Sequence, residues 1–202
     1  MTAIVKYNAG NVRSVQFALE RLGEPAIWTD EPGLLRQADR VIFPGVGEAS
    51  SAMAYLRGRG LNDVLRELQQ PVLGICLGLQ LFCRHSEEND TACLGIFDVA
   101  VRKFTPRPSP LTPHPLKVPH MGWNTLRDLN GPLFEGVEAG EHFYFVHSFF
   151  AEMSVCTTAV CDYGTAFSAA LHRDNVWAVQ FHPEKSGAAG QQVLRNFLKM
   201  KP

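Results

Sequence analysis

Pro71-Val72-Leu73-Gly74-Ile75 runs directly into Cys76-Leu77-Gly78-Leu79-Gln80-Leu81-Phe82. The first five residues form a short apolar run behind a proline, the pattern of a strand buried on both faces. From Leu77 onward the chain stays mostly apolar, with Gln80 as its polar interruption, and is expected to coil into a helix. The changeover falls on Gly74-Ile75-Cys76-Leu77-Gly78. A glycine–x–nucleophile–x–glycine segment between strand and helix is a nucleophile elbow, whose sharp turn brings neighbouring backbone close to the glycines. It sets Cys76 at the carboxyl end of a strand and the amino end of a helix, where the dipole favours a thiolate. The Leu77 N–H is left to donate to an oxyanion. By itself the segment fits equally a buried cysteine between two packing glycines.

Upstream, Ala3-Ile4-Val5, Ala26-Ile27-Trp28 and Arg40-Val41-Ile42-Phe43 repeat the short apolar strand. Val15, Ala18, Leu19 and Leu22 follow helical spacing, with Gly23 where a C-cap is expected, and Leu61, Val64, Leu65 and Leu68 do so before Pro71. Strands alternating with helices predict a parallel sheet covered on both faces. Downstream the pattern changes. Val99 and Val101, Phe143 to Val146, Val155 to Val160, Ala166 to Leu171 and Val176 to Phe181 read as strands with little helix between them. Val193, Leu194, Phe197 and Leu198 then give one apolar helical face. The expected class is α/β: a single mixed-sheet domain over residues 1–202, its parallel core flanked by helices and extended by antiparallel strands. Pro106, Pro108, Pro110, Pro113 and Pro115, closed by Pro119, mark a stiffened surface loop inside that domain.

Hydrophobic residues make up 46% of the chain and charged residues 19%, with a net charge of -1. That composition is globular and lends nothing to a nucleic-acid or membrane-surface role. The start, Met1 to Lys6, lacks the features of a signal peptide, and no apolar run reaches the roughly 18 residues of a membrane span, so the expected location is cytoplasmic. Five cysteines, Cys76, Cys83, Cys93, Cys156 and Cys161, at irregular spacing do not make a disulfide framework. Cys83, His85 and Cys93 lack the fourth partner and paired spacing of a structural zinc site. No metal and no cofactor are expected.

A thiol nucleophile needs a base. Trp177-Ala178-Val179-Gln180-Phe181 leads into His182-Pro183-Glu184. Along an extended chain His182 and Glu184 point the same way, and Pro183 disfavours helix at His182. A carboxylate beside the imidazole fixes its tautomer and stabilises the imidazolium. Alone, the pair also reads as a strand-end histidine with a solvated glutamate. Pro44-Gly45-Val46-Gly47 ends another predicted strand. It is no dinucleotide fingerprint, because Ser50 stands where the third glycine belongs. At the carboxyl end of a parallel strand this turn lines the usual crevice, and a backbone N–H there is a candidate second oxyanion donor.

Gly74 to Gln80 and Gln180-Phe181-His182-Pro183-Glu184-Lys185-Ser186 resemble the two signatures of class I, triad-type glutamine amidotransferases. Ala9 to Val15, Pro44 to Gly47, Pro119-His120-Met121-Gly122-Trp123-Asn124 and Tyr144 to Ser148 are similar to segments of that family's glutaminase subunits of imidazole glycerol phosphate synthase. The resemblance covers nearly the whole chain; it departs from the usual pattern at Lys6-Tyr7-Asn8 and at Leu79, where methionine is common. It implies Cys76, His182 and Glu184 as a triad that hydrolyses glutamine through a thioester. It implies oxyanion donors at Leu77 and the Val46–Gly47 turn, and substrate contacts from Gly45, Gln80, Glu88, His147 and Ser148. Asn11, Trp123 and Lys185 are implied near a partner interface and ammonia passage. The implied partner is a (β/α)₈-barrel cyclase subunit, since this chain has no room for a synthase domain.

Three other readings compete. An amidotransferase subunit of another pathway, such as anthranilate or aminodeoxychorismate synthesis, runs against Pro119 to Asn124. A catalytically silent scaffolding subunit runs against a complete triad. A cysteine peptidase on the same elbow fits Gln80 and the His-Pro-Glu segment less well.

Overall fold

The computed structural model describes residues 1–7, 12–105 and 116–201; Asn11 and the prolines from Pro106 to Pro115 lie outside them. The parallel core follows from strands that are apolar on both sides. β1 (Thr2–Val5), β2 (Ala26–Thr29), β3 (Arg40–Gly45) and β4 (Val72–Cys76) alternate with α1 (Val12–Arg21), α2 (Pro32–Gln37), α3 (Ala49–Gly58) and α4 (Leu61–Glu67), and α5 (Leu77–Phe82) follows β4 at once. Ala3, Val5, Val41, Phe43 and Val72 face one core cluster. Ile4, Ile42, Leu73 and Ile75 face the other, with α1 and a C-terminal helix packed over them. This period-two split is what burial between two helical layers demands.

Past α5 the chain makes β5 (His85–Ser86), β6 (Thr91–Ala92), β7 (Ala100–Lys103), β8 (His120–Thr125), β9 (His142–His147), β10 (Phe149–Ala151), β11 (Thr157–Asp162), β12 (Ala166–Arg173) and β13 (Val176–Val179), closing with α6 (Gly187–Lys199). Among the described residues the large sheet runs β2-β1-β3-β4-β13-β12-β10-β7-β5-β6, with β11 on β12, while β8 and β9 form a separate antiparallel ribbon. β1, β2, β3, β4 and β13 are mutually parallel, and β12, β10 and β7 extend the sheet in antiparallel pairs. The expected mixed α/β sheet is therefore the observed one.

Three local expectations differ. α3 was not expected: its buried positions Ala49, Ala52, Met53 and Leu56 keep helical spacing, but two are alanines and the stretch carries two serines. β8 was not read as a strand because, among the described residues, it pairs only with β9 and leaves Met121 and Trp123 outside, 62% and 56% exposed. The last parallel strand stops at Val179, and Pro183–Lys185 form a 3₁₀ turn. His182 itself is extended (φ -98°, ψ 95°), as a residue before proline should be. His182 and Glu184 thus meet across a tight turn, not by alternation along a strand.

Candidate active site

β3 and β4 end side by side, with Gly45 in register with Cys76. That register places the Pro44–Gly47 turn beside the elbow. Cys76 sits at φ 55°, ψ -108°, a conformation that costs a side-chain-bearing residue on the order of 1–3 kcal/mol. The surrounding packing holds it there. A Cβ on Gly78 would lie 2.0 Å from the Phe43 carbonyl oxygen, so only glycine lets α5 close onto β3. A Cβ on Gly45 would fall 2.4 Å from the Tyr7 hydroxyl and 2.6 Å from the Leu77 Cβ. At Gly47 the reason for glycine is different: φ is 111° and the space around it is open.

A cavity of about 380 Å³ opens over the elbow, lined by Val46, Gly47, Cys76, Leu77, Gln80, Glu88, Pro119, Val146, His147, Ser148 and Phe149. Residues far apart in the sequence, from Val46 to Phe149, meet there. Val46 also borders a narrow crevice that includes Gly45, His182 and Glu184. Leu77 begins α5, whose first N–H groups lack partners within the helix. With six residues, α5 acts on the sulfur chiefly through that first turn.

His182 Nδ1 is 2.8 Å from Glu184 Oε1, and both side chains are nearly sealed from solvent, 2% and 1% exposed. Nε2 of His182 has no hydrogen-bond partner among the described residues. Burial works against its charged form, but the Cys76 charge and the Glu184 carboxylate outweigh it and raise the imidazole to about 10. The arrangement favours the charged form of His182. The His182 N–H donates to the Tyr144 carbonyl (2.9 Å), and the Ser186 hydroxyl donates to the His182 carbonyl (2.6 Å) while accepting from the Tyr144 N–H (3.0 Å). β9 therefore fixes His182 through backbone contacts that the sequence did not advertise.

Gln80 and Glu88 line the cavity but also hold structure. Gln80, 4% exposed, donates through Nε2 to the Phe149 carbonyl (2.9 Å) and to Gln180 Oε1 (3.1 Å). Glu88 Oε2 accepts from the Ala49 N–H at the start of α3 (2.7 Å). Burial raises the Glu88 carboxyl above its ordinary range, with Glu48 adding to the effect and the Ala49 N–H opposing it. His147 donates from Nδ1 to the Phe149 carbonyl (2.7 Å), so its Nε2 accepts from His120 Nδ1 at 3.0 Å. Burial lowers His147 to about 3 and His120 to about 4, leaving both neutral at neutral pH. His120 is stacked between Phe145 and Tyr163, with centroids at 4.7 and 3.9 Å. Trp123 meets the Tyr144 ring edge-on at 5.8 Å, and Lys185 Nζ lies 5.7 Å from that ring. Trp123 and Lys185 are thus exposed neighbours on one surface. Gln180, His120, Ser186 and Tyr7 are polar members of this region to which sequence reasoning gave no role. Their signal lay inside the motifs already quoted, where neighbouring residues drew the reading.

Among the described residues no cluster of His, Cys, Asp or Glu could hold a metal ion, and no helix is long and apolar enough to cross a membrane. The chain belongs to the glutamine amidotransferase class-I family, whose sequence model matches residues 7–200. Within that family it is similar to imidazole glycerol phosphate synthase subunit HisH. The subunit of Bacteroides thetaiotaomicron is 56% identical over 198 residues, covering 98% of each chain. That of Shewanella oneidensis is 45% identical over 212 residues, covering 98% of this chain and 95% of the other. A crystal structure of a glutamine amidotransferase shares the fold with a TM-score of 0.73 at 20% identity, covering 98% of this chain and 97% of that one.

The site predicts the order in which the thiols react. Burial raises Cys83 well above its ordinary value, Cys93 to about 11 and Cys161 to about 12. A glutamine-like electrophile is expected to label Cys76 first, because it alone joins a cavity wall to a nearby base. Peptide mapping after brief exposure checks this, and another cysteine labelled ahead of Cys76 counts against the assignment.

Proposed function

We propose that this chain is the glutaminase subunit of an imidazole glycerol phosphate synthase, with Cys76, His182 and Glu184 as its triad. The observation that supports it most is the cavity joining the elbow cysteine to Val46, Gly47, Gln80, Glu88, His147 and Ser148. The Cys76 thiolate attacks the carboxamide carbon of glutamine. The resulting oxyanion takes N–H donors from Leu77 and the Val46–Gly47 turn. His182, oriented by Glu184, gives its proton to the departing nitrogen, and ammonia leaves. Water then attacks the thioester with His182 as base, releasing glutamate and the thiol. Glu88 suits the ammonium group of the substrate, with His147 and Ser148 along the same wall.

The ammonia is delivered to a barrel cyclase subunit, in a heterodimer that works in the cytosol. The exposed neighbours Met121, Trp123 and Lys185 fit the docking face, because the β8–β9 ribbon that carries Trp123 also ends in the cavity wall at His147. Asn11, outside the described residues, belongs to the same proposal. The complex as a whole makes imidazole glycerol phosphate and an aminoimidazole carboxamide nucleotide. Glutamate release by the isolated chain and by the complex tests this reading. Turnover is expected to rise at least tenfold with the barrel protein present. Equal turnover in the two states excludes activation by the partner.

A further inference from the structure

Behind Cys76 lies an amide that the triad does not use. Gln180 is fully buried (0% exposed), just past the end of β13, with its backbone N–H on the Ala169 carbonyl at 2.8 Å. Its side chain bridges two groups: Oε1 is 3.1 Å from Gln80 Nε2, and Nε2 is 3.7 Å from Cys76 Sγ. Donor and acceptor chemistry fixes this orientation. The Phe149 carbonyl can only accept, so the Gln80 atom 2.9 Å away is the amide nitrogen. The second hydrogen of that nitrogen points to Gln180, whose facing atom must then be oxygen. The nitrogen end of Gln180 is thereby turned onto the sulfur.

The sulfur has a contrasting neighbour. Cys76 Sγ is 3.9 Å from the Val146 carbonyl oxygen, which accepts from a thiol but repels a thiolate. An N–H donor behaves oppositely, being weak toward a thiol and charge-assisted toward a thiolate. We propose that Gln180 is a positioning residue: held by Gln80 and the Phe149 carbonyl, its amide donates to Cys76 Sγ and keeps the thiolate charged and in place before glutamine arrives. This rests on Cys76 being the nucleophile, and it adds a donor that belongs neither to the triad nor to the oxyanion turn.

Alkylation of Cys76 by iodoacetamide in the full chain, located by peptide mapping and followed against pH, reads the thiolate directly. In Gln180→Met, which keeps the bulk without the donor, the midpoint is expected to rise by about one pH unit or more, since a hydrogen bond to a charged group is lost. Labelling of Cys76 below the midpoint then slows about tenfold. An unchanged midpoint in folded Gln180→Met overturns the proposal. The unmutated chain gives a second readout in case that variant does not fold. The Gln180 side-chain amide resonances are expected to shift with the same midpoint as alkylation and to stay still in Cys76→Ala. An amide that ignores the titration of Cys76 overturns the proposal as well. Neither readout depends on glutamine hydrolysis, so a Cys76→Ala variant that still hydrolyses glutamine defeats the triad reading separately.

Discussion

Cys76→Ala is expected to lower glutamine hydrolysis by a factor on the order of 10⁵ or more, because the members of a triad act as a unit. In the proposed mechanism the covalent route disappears with the sulfur, and the cavity retains only binding. The chain should stay folded. Sγ makes long polar contacts to Gln180 Nε2 and the Val146 carbonyl, at 3.7 and 3.9 Å, and borders a cavity, so its loss removes little packing. The change also reaches His182. Its rise to about 10 depends on the Cys76 charge, so in the alanine variant the imidazole is expected to titrate at lower pH, still supported by Glu184. Glutamate release and the His182 proton resonances check the two effects. Supplied with ammonium salts, the proposed barrel partner should still run its own reaction beside the variant. Hydrolysis near the wild-type rate removes Cys76 from the mechanism.

The second large effect is expected at Gly47, one peptide from Val46 and in open space. Gly47→Ala meets no steric clash, so its only penalty is the backbone conformation at φ 111°, which an L-residue resists. The turn is expected to relax to negative φ and swing the Val46–Gly47 peptide, removing the proposed second oxyanion donor. Loss of such a donor costs roughly 10²–10³ in kcat. KM should change little, since the oxyanion exists only in the transition state, and the melting temperature should fall by only a few degrees. We propose that the same peptide is also a gate. If the resting turn keeps its carbonyl toward the cavity, partner docking on the β8–β9 face has a single torsional change to drive. Steady-state kinetics of Gly47→Ala with and without the partner decide the matter. A kcat within a few-fold of wild type in the complex removes the turn from catalysis.

Much of this could be read along the chain because the relevant physics is local. Apolar runs on both faces made β1, β3 and β4 readable as buried parallel strands. The glycines at Gly74 and Gly78 marked the elbow, and Pro183 kept His182 extended. α3 was hidden because alanine and serine carry little hydropathic contrast, although the helix needs only small buried residues there. β8 was hidden because a ribbon strand with one partner leaves half its side chains exposed, so no apolar run forms.

The sequence alone determined the strand–turn–helix at Cys76, the histidine and glutamate two positions apart, the mixed sheet, and the family to which those motifs belong. Only the tertiary structure decided how the pieces meet. Strand register between β3 and β4 put Gly45 beside Cys76, and no local pattern encodes register between strands about thirty residues apart. The parallel pairing of β13 with β4 carried Gln180 and His182 to the elbow across a hundred residues of chain. Which face a polar side chain presents inside a close-packed core depends on the partners that packing supplies. Gln80, implied by the resemblance to contact substrate, lies buried between Phe149 and Gln180, and Glu88 also caps a helix that begins thirty-nine residues earlier.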